Sequence, residues 1–288
     1  MFESIDHLIV AVSDLSVATQ NYRQLLGRDP SWRGEHPGLG TANTLFRLGN
    51  GYLELLAPEG EGAFAEELRT HLSTAGEGLF GLVLGCTDAE ACSRELRARG
   101  LTASDPTEGA GVDLASGAQR SWRNVYLPSE ETRGIMIFAI EHLSPQEALL
   151  PARALGEEAA TAHEFDHVVV MTKNPDEARA LYGERFGIRL ALDKTFEKFG
   201  SRLIFFRLGG VSIEIGASLK DEPDPEASDD LWGLAYRVAD IRAMQSRLQE
   251  AGFDVSEVRT GRKPGTRVCT VRNPTHGVAT LLIGTVEE

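Results

Sequence analysis

Residues 5–27, IDHLIVAVSDLSVATQNYRQLLG, decide the fold because the chain repeats them at 165–187 as FDHVVVMTKNPDEARALYGERFG. Asp6-His7 stands over Asp166-His167, Ala18 over Ala178, Tyr22 over Tyr182 and Gly27 over Gly187, always 160 positions apart. The register runs on without a gap. Phe46-Arg47-Leu48-Gly49 stands over Phe206-Arg207-Leu208-Gly209, and Glu54 over Glu214. A long-period repeat sets the architecture before any local reading. It gives one domain twice, each with an aspartate-histidine near its start and a glutamate later.

Within the repeat the pattern changes period. Residues 5–12 are β-rich and predict a strand, with His7, Ile9 and Ala11 on one face. Asp14 opens a helix that reaches about residue 26, and Gly27 stops it; Asn174-Pro175 and Gly187 do the same in the second copy. A Pro- and Gly-rich loop follows at 28–40, with room for a short strand. Strands are predicted at 41–48 and 51–56, where Tyr52, Glu54 and Leu56 share a face. A weaker repeat fills the rest of each half: residues 79–100 resemble 231–252, again strand then helix, with a capping box expected at Thr87-x-x-Glu90. Further strands are expected at 123–127, 134–140, 266–271 and 278–283, with an insertion around 110–120. The chain therefore reads as four βαβββ units in two tandem domains, α+β in class, with curled mixed sheets and helices outside. The boundaries are 1–142 and 164–288, with a linker at 143–163 holding one helix.

The 288 residues fit two domains of about 150 each. A 42% apolar share allows ordinary cores, and a 25% charged share argues against wholesale disorder. A net charge of −14 repels phosphate backbones and anionic lipid, so nucleic acid and membrane surfaces are poor partners. Cys86, Cys92 and Cys269 are odd in number and form no CxxC, which suits a reducing compartment. The start lacks a basic leader region and no apolar run approaches the ~20 residues of a membrane span, so a cytoplasmic protein is expected. The acidic stretch 220–230 reads as a solvated loop, lacking the glycine of a calcium loop, and 261–267 (GRKPGTR) as a hairpin. GxSxG, HExxH and dinucleotide fingerprints are absent.

The openings Asp6-His7 and Asp166-His167, the helix ends Tyr22–Gly27 and Tyr182–Gly187, the strands Leu53-Glu54-Leu55 and Ile213-Glu214-Ile215, and the four-unit layout resemble the vicinal oxygen chelate (VOC) superfamily. That superfamily holds glyoxalase I, extradiol dioxygenases, epimerases and bleomycin-resistance proteins. Residues 36–43 (HPGLGTAN) followed by Tyr52-Leu53-Glu54-Leu55 look like its glyoxalase-like branch.

The resemblance implies paired units curled into a cup that holds a divalent transition metal: Fe, Mn, Ni, Co or Zn. His7, Glu54, His167 and Glu214 occupy its ligand positions. Imidazole and carboxylate suit such ions, which can acidify a C–H beside a carbonyl. The second units depart from the pattern, with Gly81 and Gly233 near one ligand position and Phe138 and Leu281 at the other. If units pair in chain order, each cup holds one His and one Glu, to be completed by His36, His276 or water. If the first units of each half face one another, a His₂Glu₂ set forms. An isolated strand His-Asp and an inward Glu also occur as plain structural residues, but a core carboxylate carries a desolvation penalty unless paired or coordinated.

The expected function is a metal-dependent lyase or isomerase on a small oxygenated molecule. Glu54 or Glu214 would be the base, and Arg47, Arg207, Arg237, Tyr52 and His36 would bind substrate. A metal-free binding protein of the antibiotic-sequestering kind is the alternative, and an extradiol-type dioxygenase comes third. A homodimer is compatible with all three.

Overall fold

A computed structural model describes residues 1–36, 38–224 and 226–285. The N-terminal half runs β1 (Ser4–Ala11), α1 (Leu15–Leu26), β2 (Trp32–His36), β3 (Thr41–Leu48) and β4 (Gly51–Pro58). It continues with α2 (Ala63–Thr74), β5 (Gly78–Gly85), α3 (Ala89–Ala98), β6 (Thr107–Val112), β7 (Gln119–Tyr126) and β8 (Met136–His142). The C-terminal half runs β9 (Ala162–Met171), α4 (Pro175–Ala180), β10 (Arg189–Phe196), β11 (Ser201–Leu208) and β12 (Val211–Ser218). It ends with β13 (Asp230–Val238), α5 (Ile241–Glu250), β14 (Asp254–Val255), β15 (Arg259–Thr260), β16 (Thr266–Asn273) and β17 (Ala279–Thr285).

The sheets share one topology. Their orders are β2-β3-β4-β1-β5-β8-β7-β6 and β10-β11-β12-β9-β13-β17-β16-β14, with β15 on β16. Within each half the first strands of the two units lie side by side and antiparallel, β1 on β5 and β9 on β13. The units therefore pair in chain order. That settles the open question of pairing and dismantles the expected four-residue ligand set.

The helices form where the caps and apolar spacing put them. Asp14 accepts from Val17 N–H, α1 buries Ala18, Tyr22, Leu25 and Leu26, and Gly27 closes it in the left-handed region. At α3 the cap is Asp88, accepting from Ala91 N–H, rather than Thr87. A carboxylate is the stronger acceptor for N-terminal amides, and Thr87 turns to Glu3 instead. Helix α2 lies where no element was expected, although Phe64, Leu68 and Leu72 recur at helical spacing. The presumed insertion contains β6, paired to β7. The linker holds two 3₁₀ turns, Gln146–Ala148 and Glu158–Ala160, in place of one helix. It is strapped down: Ala152 N–H donates to Arg47 O, and Arg28, itself buried, reaches Ala162 O and Thr161.

The two halves share one apolar core, which joins Leu8, Val10 and Phe46 of the first to Phe165, Val168 and Phe206 of the second. Their helices interleave. Arg247 of α5 donates to the last carbonyls of α1, and Arg99, which caps α3, donates to Glu184 O in the π turn (Leu181–Arg185) that continues α4 toward Gly187. The faces covered by α1, α3, α4 and α5 thus meet, while on the opposite face of the first sheet α2 packs Leu68 against Ile9, Leu56 and Phe138.

Candidate functional site in the N-terminal cup

The opposite face of the first sheet curls around a cavity of about 730 Å³, with Phe64 and Glu67 of α2 on its wall. Register explains its lining. Trp32, Leu45, Glu54 and Ile9 follow one another across β2, β3, β4 and β1, and Met136 stands two strands further on. Strand alternation carries all of them to one side, and all five line the cavity. On the next row His7 sits beside Tyr52 on one flank and Val83 on the other, with Phe138 beyond Val83.

The polar groups form a chain across the cavity wall. His142 Nε2 donates to Asp6 Oδ2 at 2.9 Å, and His7 Nδ1 donates to Asp6 Oδ1 at 2.7 Å. His7 Nε2 then stands 3.4 Å from Glu54 Oε2. The other carboxylate oxygen of Glu54 accepts from Asn43 Nδ2 at 2.8 Å. His36 lines the same cavity, its Nδ1 3.0 Å from Thr41 Oγ1. Burial opposes charge on Asp6, but the hydrogen bonds and charges of His142 and His7 prevail and hold its carboxyl well below the usual range. An ionised Asp6 only accepts, so the His7 proton sits on Nδ1 and Nε2 is aimed at Glu54. The His7 ring also stacks on Tyr52, centroids 4.4 Å apart. Burial, reinforced by Asp6 and Glu54, raises the Tyr52 hydroxyl well above its ordinary value against the pull of Arg120, so it remains a neutral phenol.

The second cup repeats the core of this arrangement and none of its enclosure. His167 Nδ1 donates to Asp166 at 2.9 Å, and its Nε2 lies 3.6 Å from Glu214 Oε2. Arg237 takes the place of His142 on the aspartate. Register sets Leu192, Phe205 and Glu214 side by side, yet Leu192 is 43% exposed. In the first sheet the corresponding edge carries Trp32, only 5% exposed. Burial raises the Glu214 carboxyl, opposed by His167 and Arg262.

His7, Glu54, His167 and Glu214 therefore divide into two pairs, each histidine meeting only its own glutamate. Among the described residues no group of three or more His, Cys, Asp or Glu could hold a metal ion. The positions across from each pair are apolar, Val83 and Phe138 in one cup and Ala235 and Leu281 in the other. Catalytic metal centres use about three protein donors plus an open position. Each cup presents two, one short of a resident metal centre held by protein groups alone. His276 completes neither pair, because it bonds Glu77 and Asn21 between the halves.

A model described as a glyoxalase-like domain matches residues 5–163, and one described as the glyoxalase/bleomycin resistance protein/dioxygenase superfamily matches residues 166–270. The chain belongs to the vicinal oxygen chelate superfamily. No protein of curated function matches it in sequence. Among solved structures, a mutant of 4-hydroxymandelate synthase from Streptomyces coelicolor is 18% identical, with TM-score 0.73 over 99% of this chain and 93% of that one. The Mn(II)-bound glyoxalase from Novosphingobium aromaticivorans is 15% identical, with TM-score 0.64 over 100% and 83%. BphC, a halotolerant catechol dioxygenase, is 12% identical, with TM-score 0.61 over 100% and 89%. At these identities the likeness is one of fold.

In this VOC chain the remaining expected binding residues scatter. Tyr52 and His36 line the cavity. Arg47 is occupied elsewhere, donating to Gln146 O and Leu149 O of the linker. Arg237 pairs with Glu164 and Asp166, and Arg207 is exposed on β11. The cavity contains instead a cation that was not singled out, Arg120, with Trp32, Tyr52 and Trp122 around it. Its signal was present. Arg120, Trp122, Asn124 and Tyr126 alternate along β7, and all four line the cavity. Asn43 and Asn124 each keep a buried side-chain oxygen without a partner among the described residues.

Proposed function

We propose that the N-terminal cup is the active site of a small-molecule enzyme of the lyase or isomerase type. Glu54 removes a carbon-bound proton beside a carbonyl, and His7, backed by Asp6, takes up or returns that proton. One observation carries this reading: Glu54 is 8% exposed, faces the cavity, and has the His7 imidazole against one oxygen and an amide against the other. A positioned carboxylate of this kind contributes about 10²–10⁴-fold in proton transfer. Burial of Glu54 and His7 strengthens the charge interaction between them. Tyr52, held as a neutral phenol, is placed to donate to the enolate oxygen that forms. The second cup, open at Leu192, serves as scaffold.

The test is exchange of carbon-bound protons in D₂O, followed by NMR over a panel of 2-oxo acids and 2-hydroxy ketones. Wild-type chain should exchange at least one member. Glu54→Gln should slow that exchange about a hundredfold or more, and Glu214→Gln should leave it unchanged. Equal loss in the two variants, or no exchange by wild type, would return the chain to the reading of a metal-free binding protein.

The paired Nε2 and Oε2 atoms, repeated in both cups with an Asp on each Nδ1, favour one alternative. There, His7 and Glu54 hold a divalent ion whose other positions are filled by the ligand's oxygens. Elemental analysis separates the two. About one transition metal per chain, lost in His7→Ala, supports the metal-dependent branch; none, with a melting temperature unmoved by chelator, supports proton transfer by the side chains alone.

A further inference from the structure

Arg120 projects from the start of β7 and is 8% exposed. Its guanidinium carbon lies 5.5 Å from the Trp32 ring, 5.4 Å from Tyr52 and 6.0 Å from Trp122. Among the described residues it pairs with no carboxylate, and the polar group beside it is the Tyr52 hydroxyl, too little to occupy five N–H donors. Other buried or half-buried arginines of this acidic chain have carboxylate partners: Arg28 with Glu158, Arg133 with Asp229, Arg237 with Glu164 and Asp166. Arg120 has none, and it is the arginine that lines the cavity.

Its surroundings do not account for its burial. Stacking against aromatic faces returns about 2 kcal/mol when desolvated. Five N–H donors taken out of water lose more than that unless something accepts from them. The donors open onto the cavity, so the acceptor is whatever occupies it. We infer that Arg120 is the anchor for the carboxylate of an anionic ligand, held in an aromatic box with its reacting end at His7 and Glu54. This rests on the N-terminal cup being the functional site and names the substrate class that site takes.

Geometry and charge narrow the class. Tyr52 touches both ends, stacking on His7 and flanking Arg120. The guanidinium and the imidazole are therefore no further apart than those two contacts laid end to end. A small acid spans that gap. The walls between are Trp32, Trp122 and Phe138, which suit an apolar or aromatic body. The same walls carry Glu35, Glu54, Glu67 and Glu108 against the single cation. Their field admits one negative charge at the guanidinium and disfavours two, so a carboxylate fits better than a phosphate. The planar fork of the guanidinium matches the two carboxylate oxygens.

The experiment uses matched acid and amide pairs on the whole chain: phenylacetate with phenylacetamide, phenylpyruvate with phenylpyruvamide, and benzoate with benzamide, with phenylphosphonate as the dianion. Binding is read by isothermal calorimetry. At least one acid should bind tenfold or more tightly than its amide, and phenylphosphonate should bind less well than that acid. Arg120→Gln should erase the acid's advantage while leaving amide binding and the melting temperature close to wild type. Arg120→Lys should restore only part of it, since a point charge does not replace the fork. Should no acid outbind its amide, absence of all binding included, or should Arg120→Gln keep the preference, the anchor is refuted. Glu54→Gln should retain the acid preference even where it abolishes proton exchange, so failure of the anchor and failure of the proposed chemistry are read separately.

Discussion

Asp6 is a carboxylate kept charged in a nearly sealed position. Burial pushes its carboxyl up, and two imidazoles pull it down further, so the folded value lies below the ordinary ~3.9. A lowered carboxylate contributes stability above about pH 4 and loses it as pH falls through the folded value. Asp6→Asn should therefore cost about 2 kcal/mol at pH 7, and urea titrations should show that deficit shrinking below about pH 4. A deficit that stays constant with pH would contradict the assignment. Glu214 behaves in the opposite sense. Burial raises its folded value above the usual range against His167 and Arg262, so wild type loses stability as pH rises through that window. Glu214→Gln should gain on wild type in melting temperature from pH 4 to pH 7; parallel curves would argue against it. At this scale the sequence disclosed His7 and Glu54 because duplication printed each twice. Arg120 has no such second copy. Its signal was only the alternation along β7, and the cavity that this alternation faces is set by long-range strand pairing.

At the scale of elements, each half clamps the other's first helix. Gly27 and Gly187 both end a helix in the left-handed region, at φ 69° and 65°. Arg247 of the second half lies against Gly27, and Arg99 of the first lies against Gly187. Helix ends leave carbonyls unpaired and carry partial negative charge, so an arginine there satisfies both. The two clamps differ in worth. Arg247 reaches three carbonyls, Gln24 O, Leu25 O and Ala160 O, with no carboxylate beside it, and burial alone lowers its pKa. Arg99 is exposed and already pairs with Glu95. Arg247→Ala should cost about 2–3 kcal/mol by leaving buried acceptors unmet, and Arg99→Ala under about 1 kcal/mol; chemical denaturation of the two variants measures both. Equal losses would mean that burial does not set the difference. The helices, their caps and most strands were readable from period and punctuation. The pairing of β1 with β5 was not, because both ways of joining four units satisfy the same strand patterns. Only the packed core chooses between them, and with that choice the expected four-ligand set divided in two.

For the whole molecule, the question is whether two copies of one domain act as two bodies. The contacts between them argue for one. The apolar core is continuous across the halves, Tyr22 Oη donates to Thr275 O, and His276 bonds Asn21 and Glu77. Gly277 sits in the middle of that seam at φ 76°, with its missing side chain aimed at the Glu77 carbonyl. Alanine there would meet left-handed strain of about 1–2 kcal/mol and a backbone clash of about 1–3 kcal/mol, roughly 3 kcal/mol together. At about 2 °C per kcal/mol for a chain of this size, the melting temperature should fall by roughly 5 °C or more. The clash lies between the segments that lead into β17 and β5, in different halves, so it should not loosen the C-terminal half alone. Calorimetry should show a single transition in wild type and a single, lowered transition in Gly277→Ala, with amide exchange quickening in β5 and β17 alike. Two separated transitions in the variant, with β5 exchange unchanged, would mean that the N-terminal cup folds independently. In that case its cavity would not depend on the second sheet, and the reading of that sheet as scaffold for the first would have to be given up.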